Sequence, residues 1–333
     1  MSRMTTIAVV LLALVSAFAS SAATPAERLR AAQAAEDQLT FRARLNTATF
    51  TGGASVSSEV VTYRKPGYCR LDYQSPALRG LVMIEKGDRI IRLNPDQKTA
   101  YVGRVRREHG RLELLLKNYN VTCNKTEQII SRQADVLAIR HAQPGYPSKK
   151  IWVDREMNLI LRSEYYSSDG KLASLTVCSD IEWSPRLDDS LFEIAADWKQ
   201  VALEDDSASL WDREKLTKEV GFALKEPSWL PPGYVFDGFK VCRCRSGIAS
   251  AQMRYVDGLN SFSVFERFTR CPGRCCGSGH GKGWRCRQGC QRGCELLANQ
   301  PGRVLTRDIN GLTYIFIGDL PEAELTKIAD SLK

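Results

Sequence analysis

The side chains with the most chemistry to offer crowd one stretch near the C-terminus. Residues 267–300 carry Cys271, Cys275, Cys276, Cys286, Cys290 and Cys294, and Cys242 and Cys244 lie just upstream. Two uses fit such a cluster. Thiolates could hold zinc, with Cys286, Cys290, Cys294 and His280 as the ligand set, although x₃ spacings are not the paired C-x₂-C knuckles of structural zinc sites. Alternatively the thiols pair as disulfides, which needs only proximity and an oxidant. The same stretch holds seven glycines and seven Lys or Arg against one acid, Glu295, so it cannot bury an apolar core and needs staples of one kind or the other. On a strand Cys242 and Cys244 share a face, which favours bonds outward into the insert over a bond to each other. Catalysis has no comparable foothold. The three histidines, His109, His141 and His280, lie in no nucleophile or metal motif, and no nucleophile elbow, P-loop or dinucleotide fingerprint occurs. Asp154, Glu156 and Glu164 read as turn and solvated-face residues. The expectation is a protein that binds and does not catalyse, without cofactor.

Compartment decides between the two staples. Arg3, an apolar run over residues 7–19 and the small residues Ser20-Ser21-Ala22-Ala23 form a secretory leader with cleavage near Ala19 or Ala23. An oxidising compartment suits eleven cysteines, and favours disulfides among Cys242, Cys244 and the six of the insert. The net charge of +9 suits nucleic acid, anionic lipid or an acidic protein segment. Export removes nucleic acid from that set.

The elements that must position these residues are mostly strands. Thr24-Pro25-Ala26-Glu27 is a capping box with proline at the first helical position, starting a helix that ends near Asp37. Phe41, Ala43 and Leu45 then alternate with polar residues, and strand text continues through residues 60–63, 69–73, 81–84, 89–93 and 99–103. Leu112, Leu115, Leu116 and Tyr119 mark one helix. Strands resume over 127–131, 135–141, 150–154, 159–166 and 172–183. So many strands with so few helices predict a curled antiparallel sheet, an open half-barrel with an apolar inside. Residues 197–226 read as an acidic linker and a short helix. Pro231-Pro232 then opens a smaller α+β domain, 227–333, with Asp257-Gly258 and Asn310-Gly311 as hairpin turns and a closing helix from Pro321.

WLPPGY at 229–234 and RYVDGLNSFSVFE at 254–266 resemble the C-terminal domain of the MucB/RseB family of periplasmic regulators. The stretches 61–93 and 149–194 resemble that family's N-terminal domain, which is similar to the LolA and LolB carriers. The resemblance implies a leader (1–23), a half-barrel plugged by helices (24–196), and a small domain interrupted by a cysteine-rich insert without family counterpart. It implies a periplasmic protein that binds the periplasmic part of a membrane anti-sigma factor, shields it from proteolysis and senses a lipid or lipoprotein. A lipid carrier without regulatory partner, a cysteine-rich metal- or polymer-binding envelope protein, and a homodimer stay open beside it. The candidates for the ligand cavity are Phe41, Leu45, Val61, Tyr63, Leu71, Tyr73, Leu175, Val177, Ile181 and Trp183. Those for the partner surface are Trp229, Pro231, Pro232, Tyr234, Tyr255, Asp257 and Gly258.

Overall fold

The computed structural model describes residues 23–51, 53–104, 110–202, 212–243, 249–269 and 302–332. Two open sheets dominate, and helices are few. The first has twelve strands in the order β12-β6-β5-β4-β3-β2-β1-β11-β10-β9-β8-β7. Its strands are β1 (Phe41–Thr51), β2 (Ala54–Lys65), β3 (Tyr68–Tyr73), β4 (Val82–Lys86), β5 (Arg89–Asn94), β6 (Thr99–Arg104), β7 (Tyr119–Ile129), β8 (Arg132–His141), β9 (Ser148–Asp154), β10 (Ile160–Tyr166), β11 (Leu172–Trp183) and β12 (Lys199–Ala202). All neighbours are antiparallel except β12, which pairs parallel to β6. The linker read over 197–226 therefore begins as a sheet edge.

Helix α1 (Pro25–Gln38) starts at the expected capping box: Thr24 Oγ1 accepts from the Glu27 amide while Glu27 reaches back to the Thr24 amide. It lies across the inner face of the sheet. Near its start Arg28 Nε donates to Asp135 of β8 at 3.1 Å, and near its end Glu36 faces Arg64 of β2 at 3.8 Å. Helix α2 (Arg111–Asn118) lies beside it on the same face. Leu29 and Ala32 of α1 and Leu115 of α2 join Leu137, Ile139, Ile151 and Val153 in one core. At the other end of the sheet the outer face is covered instead. There Phe192, fully buried in the 3-10 helix Asp189–Phe192, packs on Ile84, Ile91, Leu93 and Ala100.

The second sheet runs β13-β14-β15-β17-β16: β13 (Val235–Arg243), β14 (Ala249–Val256), β15 (Ser261–Phe268), β16 (Arg303–Ile309) and β17 (Leu312–Gly318). Helices α3 (Arg213–Val220) and α4 (Glu322–Asp330) cover one face. Leu216 and Val220 of α3 pack on Val241 and Ala251, so the short linker helix docks on the small sheet. No disulfide joins the described cysteines Cys69, Cys123, Cys178 and Cys242; the expectations for Cys244, for the six cysteines of the insert and for His280 fall outside the described residues. None of the helices among the described residues is long and apolar enough to cross a membrane.

One charge is anomalous in the small domain. Glu266 on β15 is fully buried, and among the described residues its two carboxylate oxygens accept only from the Lys225 amide, at 3.0 and 3.2 Å. Burial raises its pKa to about 8, against the pull of that amide. The folded state therefore binds this proton more tightly than the unfolded chain. Stability from this group is full below the unfolded carboxyl pKa and is lost as pH rises through about 8. Chemical denaturation of the wild type should weaken across that window with a slope approaching about 1.4 kcal/mol per pH unit. Glu266→Gln should remove most of that slope and be the more stable protein at alkaline pH; parallel profiles for the two would contradict the assignment.

Candidate binding hollow and domain joint

Register fixes which side chains face inward. Phe41 pairs with Trp183, Ala43 with Ile181, and Leu45 with Cys178, so one residue, Ser179, bulges out of β11. The bulge puts Cys178 on the face of Ile181 and turns Leu175 and Val177 to the other. Along β2 the inner residues are Val60, Thr62 and Arg64, because they oppose Leu45, Ala43 and Phe41. Leu71 and Tyr73, then Met83, Ile90 and Tyr101 continue the inner face through β3 to β6.

The ten cavity candidates therefore divide. Phe41, Leu45, Ile181 and Trp183 face inward but pack with Leu159, Leu161 and Cys178 in a core. Leu71 and Tyr73 face inward and stay half-buried, and so do Val60, Met83, Ile90 and Tyr101, which the sequence reading missed. These six belong to no core cluster among the described residues, and Glu85 and Arg92 share the inner face with them, opposite Ile90 and Met83. Val61, Tyr63, Leu175 and Val177 point outward, which corrects their assignment to the hollow. Alternation along β2 places Tyr63 and Val61 opposite to Leu71, and Tyr63 packs with the outer Phe192 cluster. Leu175 and Val177 line an outer groove of about 560 Å³ with Asn46, Ser57, Glu59 and Gln74.

The second feature is the joint between the sheets, built on the turn after β14. Asp257 is fully buried. Its Oδ1 accepts from the amides of Leu259 and Asn260 at 2.9 and 2.7 Å, which shapes the turn. Its Oδ2 accepts from the Tyr119 hydroxyl at 2.7 Å, across the domains. Burial, with the Asp257 charge adding to it, drives the Tyr119 pKa far above the ordinary phenol range, so Tyr119 stays a donor. Asn118 Nδ2, at the end of α2, donates to the carbonyls of Gly233 and Asp257, both at 2.9 Å. Asn260 Nδ2 donates to Tyr234 Oη and the Asp319 carbonyl, and Asp319 accepts from Tyr165 Oη at 3.1 Å and the Ser168 amide at 3.0 Å. Apolar side chains cross the joint in both directions. Tyr146 from the β8–β9 loop enters the small-domain core, and Leu259 packs on the α1–α2 core.

The partner-surface candidates are thereby reassigned. Tyr234 and Tyr255 are buried in the small-domain core, and Asp257 and Gly258 sit inside the joint, so none of these four presents a free surface. Asp257-Gly258 is a docking turn, not an exposed hairpin tip. Pro231 is buried, Trp229 is half-buried under Lys327 of α4, and Pro232 is exposed. Val235 and Phe236, 45% and 43% exposed on the edge strand β13, are the apolar pair nearby that sequence reading passed over. Their only sequence signal is two adjacent apolar residues at the start of an edge strand. A further groove of about 750 Å³ lies between the lobes, walled by Phe50, Ser55, Asp169, Leu172, Gly302 and Asp319 among others.

With this geometry in place the comparisons are informative. No family model and no curated protein matches the chain. Solved structures do. The complex of Pseudomonas aeruginosa MucA and MucB aligns over 93% of this chain and 98% of that one, with TM-score 0.62 and 17% identity. A second MucB structure in complex with periplasmic MucA gives 0.62 at 16% identity, and a further MucB structure 0.52 at 14%. The chain has the MucB fold. The likeness to MucB spans both lobes.

Gly258 makes the joint testable. Its φ is +103°, and a Cβ there would lie 2.2 Å from the Leu115 amide nitrogen of α2. Gly311 has φ +80° with open space around it, so alanine there meets backbone strain alone, about 1–2 kcal/mol. Gly258→Ala should lower thermal stability more than Gly311→Ala and raise the radius of gyration in solution scattering as the lobes part. Equal melting losses with unchanged scattering would contradict this account of the joint.

Proposed function

We propose that this chain is an extracytoplasmic binding and regulatory protein of the MucB/RseB type. It binds the periplasmic part of a membrane anti-sigma factor, holds it from proteolysis, and releases it when a lipid or lipoprotein acyl chain enters the hollow. The observation that carries the reading is the full-length likeness to MucB structures determined with MucA, which spans both lobes in one alignment. The half-buried strip of Val60, Leu71, Tyr73, Met83, Ile90 and Tyr101 supports the acyl ligand, since an apolar surface of this kind gains from being covered. The partner surface is assigned to β13 with Val235 and Phe236 and to the adjoining Pro232 and Trp229.

Helix α2 links the two activities. Its leucines cover Leu137, Ile139, Ile151 and Val153 at the β8–β9 end of the inner face, while Leu115, Asn118 and the following Tyr119 hold the joint. A ligand shifts such an equilibrium only by its difference in affinity for the two arrangements. An acyl chain that displaces α2 binds the parted arrangement alone, and so supplies that difference.

Capture from envelope extract tests the reading. The protein should recover a single-span membrane protein with an anti-sigma cytoplasmic domain, and Phe236→Asp should lose it. Leu71→Asp should keep the partner and lose acyl-chain uptake, by about tenfold or more for a carboxylate set in an apolar strip. Recovery of lipid with no protein partner would point to a carrier instead.

A further inference from the structure

One face of the small sheet is buried although no described helix or strand lies on it. Helices α3 and α4 pack on Val241, Ala251, Met253, Val264 and Phe316, which share one face. Phe265, Ile315 and Ile317 alternate to the other, where Phe265 opposes Gln252 and Ile315. They are only 3%, 7% and 6% exposed, and Cys242 is their one further apolar neighbour among the described residues. Thr313 is buried on the same face. Beside it Arg267 Nε meets neither solvent nor a hydrogen-bond partner among the described residues. An uncovered sheet face would leave such side chains wet.

Topology says which segment passes there. β15 and β16 both run antiparallel to β17, which lies between them, so they are parallel to each other. Phe268, at the end of β15, opposes Leu312, whereas Arg303, at the start of β16, opposes Gly318 at the far end of β17. Parallel strands need a crossover, so residues 270–301 must return along the sheet, about 20 Å from the level of Leu312 to that of Gly318. One face is already taken by α3 and α4. At its departure the chain is on the other, where the Thr269 and Thr313 hydroxyls meet at 3.1 Å. No other stretch outside the described residues is so placed. Residues 203–211 lead into α3 on the helix side, 244–248 join β13 to β14, and 1–22 precede α1 on the large domain.

We infer that residues 270–301 cross the face opposite α3 and α4 and cover Phe265, Ile315 and Ile317. The cysteine-rich stretch is then the second cover of the small sheet, and its cysteines and basic residues belong to that side of the domain. Phe236 packs with Phe239 and Tyr255, and Trp229 lies under Lys327 of α4, so both belong to the helix side. A crossover on the opposite face leaves that surface open to a partner. The placement itself holds whatever the partner is.

Photo-cross-linking of the full chain tests it, with benzoylphenylalanine set at Ser263 or at Phe236 in separate variants. Ser263 opposes Ile317 on the covered face. Irradiation should join Ser263 variants to peptides from 270–301 and Phe236 variants to none of them. Adducts from Ser263 to 203–211, to 244–248 or to a second copy, or no adduct, would overturn the placement, as would adducts from Phe236 to 270–301. Radical footprinting needs no bulky residue in the sheet. Wild type should protect Phe265 from oxidation relative to Phe236, which is 43% exposed. Replacing 270–301 by a glycine-serine chain of equal length should abolish that protection; Phe265 still protected there would overturn the inference.

Discussion

One buried carboxylate holds the two lobes of this protein in register. Asp257 shapes its own turn with one oxygen and reaches the large domain with the other, through the Tyr119 hydroxyl. A carboxylate without solvent must be fully partnered, and docking adds the Tyr119 hydroxyl to the partners Asp257 has in its own domain, the Leu259 and Asn260 amides and Tyr234. When the lobes part, Asp257 exchanges Tyr119 for water, so the closed joint is favoured by a modest net amount and stays reversible. A hydrogen bond to a charged group contributes about 1.5–3 kcal/mol on this scale.

Around that carboxylate the geometry leaves little slack. Gly258 lies against the α2 backbone where no side chain fits, and Gly233 lies against the Asn118 side chain, 2.7 Å from where a Cβ would stand. At Gly258 the two lobes are therefore set by backbone-to-backbone approach, which does not deform gradually. Because the leucines of α2 also pack on β8 and β9 beside α1, what happens to them is felt at the joint. The reciprocal insertion of Tyr146 and Leu259 adds apolar contact on both sides of the polar centre. Coupling of this kind needs one element with two arrangements, and α2 is the element that touches both sites.

Much of this was legible in the residues. The capping box at Thr24, the apolar alternation from Phe41 and the Asn310-Gly311 hairpin each rest on local chemistry, and each element stands where that chemistry puts it. Three features were not local. The parallel edge strand β12 gains its partner from β6, a hundred residues away, and its four residues Lys-Gln-Val-Ala lie inside a stretch that reads as acidic linker. The first half of β7 alternates Tyr119, Val121 and Cys123 with Asn120 and Thr122, yet the sequence reading begins the strand only at Glu127, because it counts Tyr119 to the preceding helix. The bulge at Ser179 reverses face assignment along β11 without any glycine to announce it. The Asp257-Gly258 pair was the subtlest: its residues do make a tight turn, but the positive φ of Gly258 serves a close approach between domains.

Native-state hydrogen exchange on the intact chain tests the central claim most directly, because it reads the opening free energy of each amide. The amides of Leu259 and Asn260 in the turn and those of 114–118 in α2 should open together. Tyr119→Phe should lower both sets by the same amount. If the turn exchanges independently while α2 keeps its full protection, the lobes are not held through this carboxylate and helix, and the account is wrong.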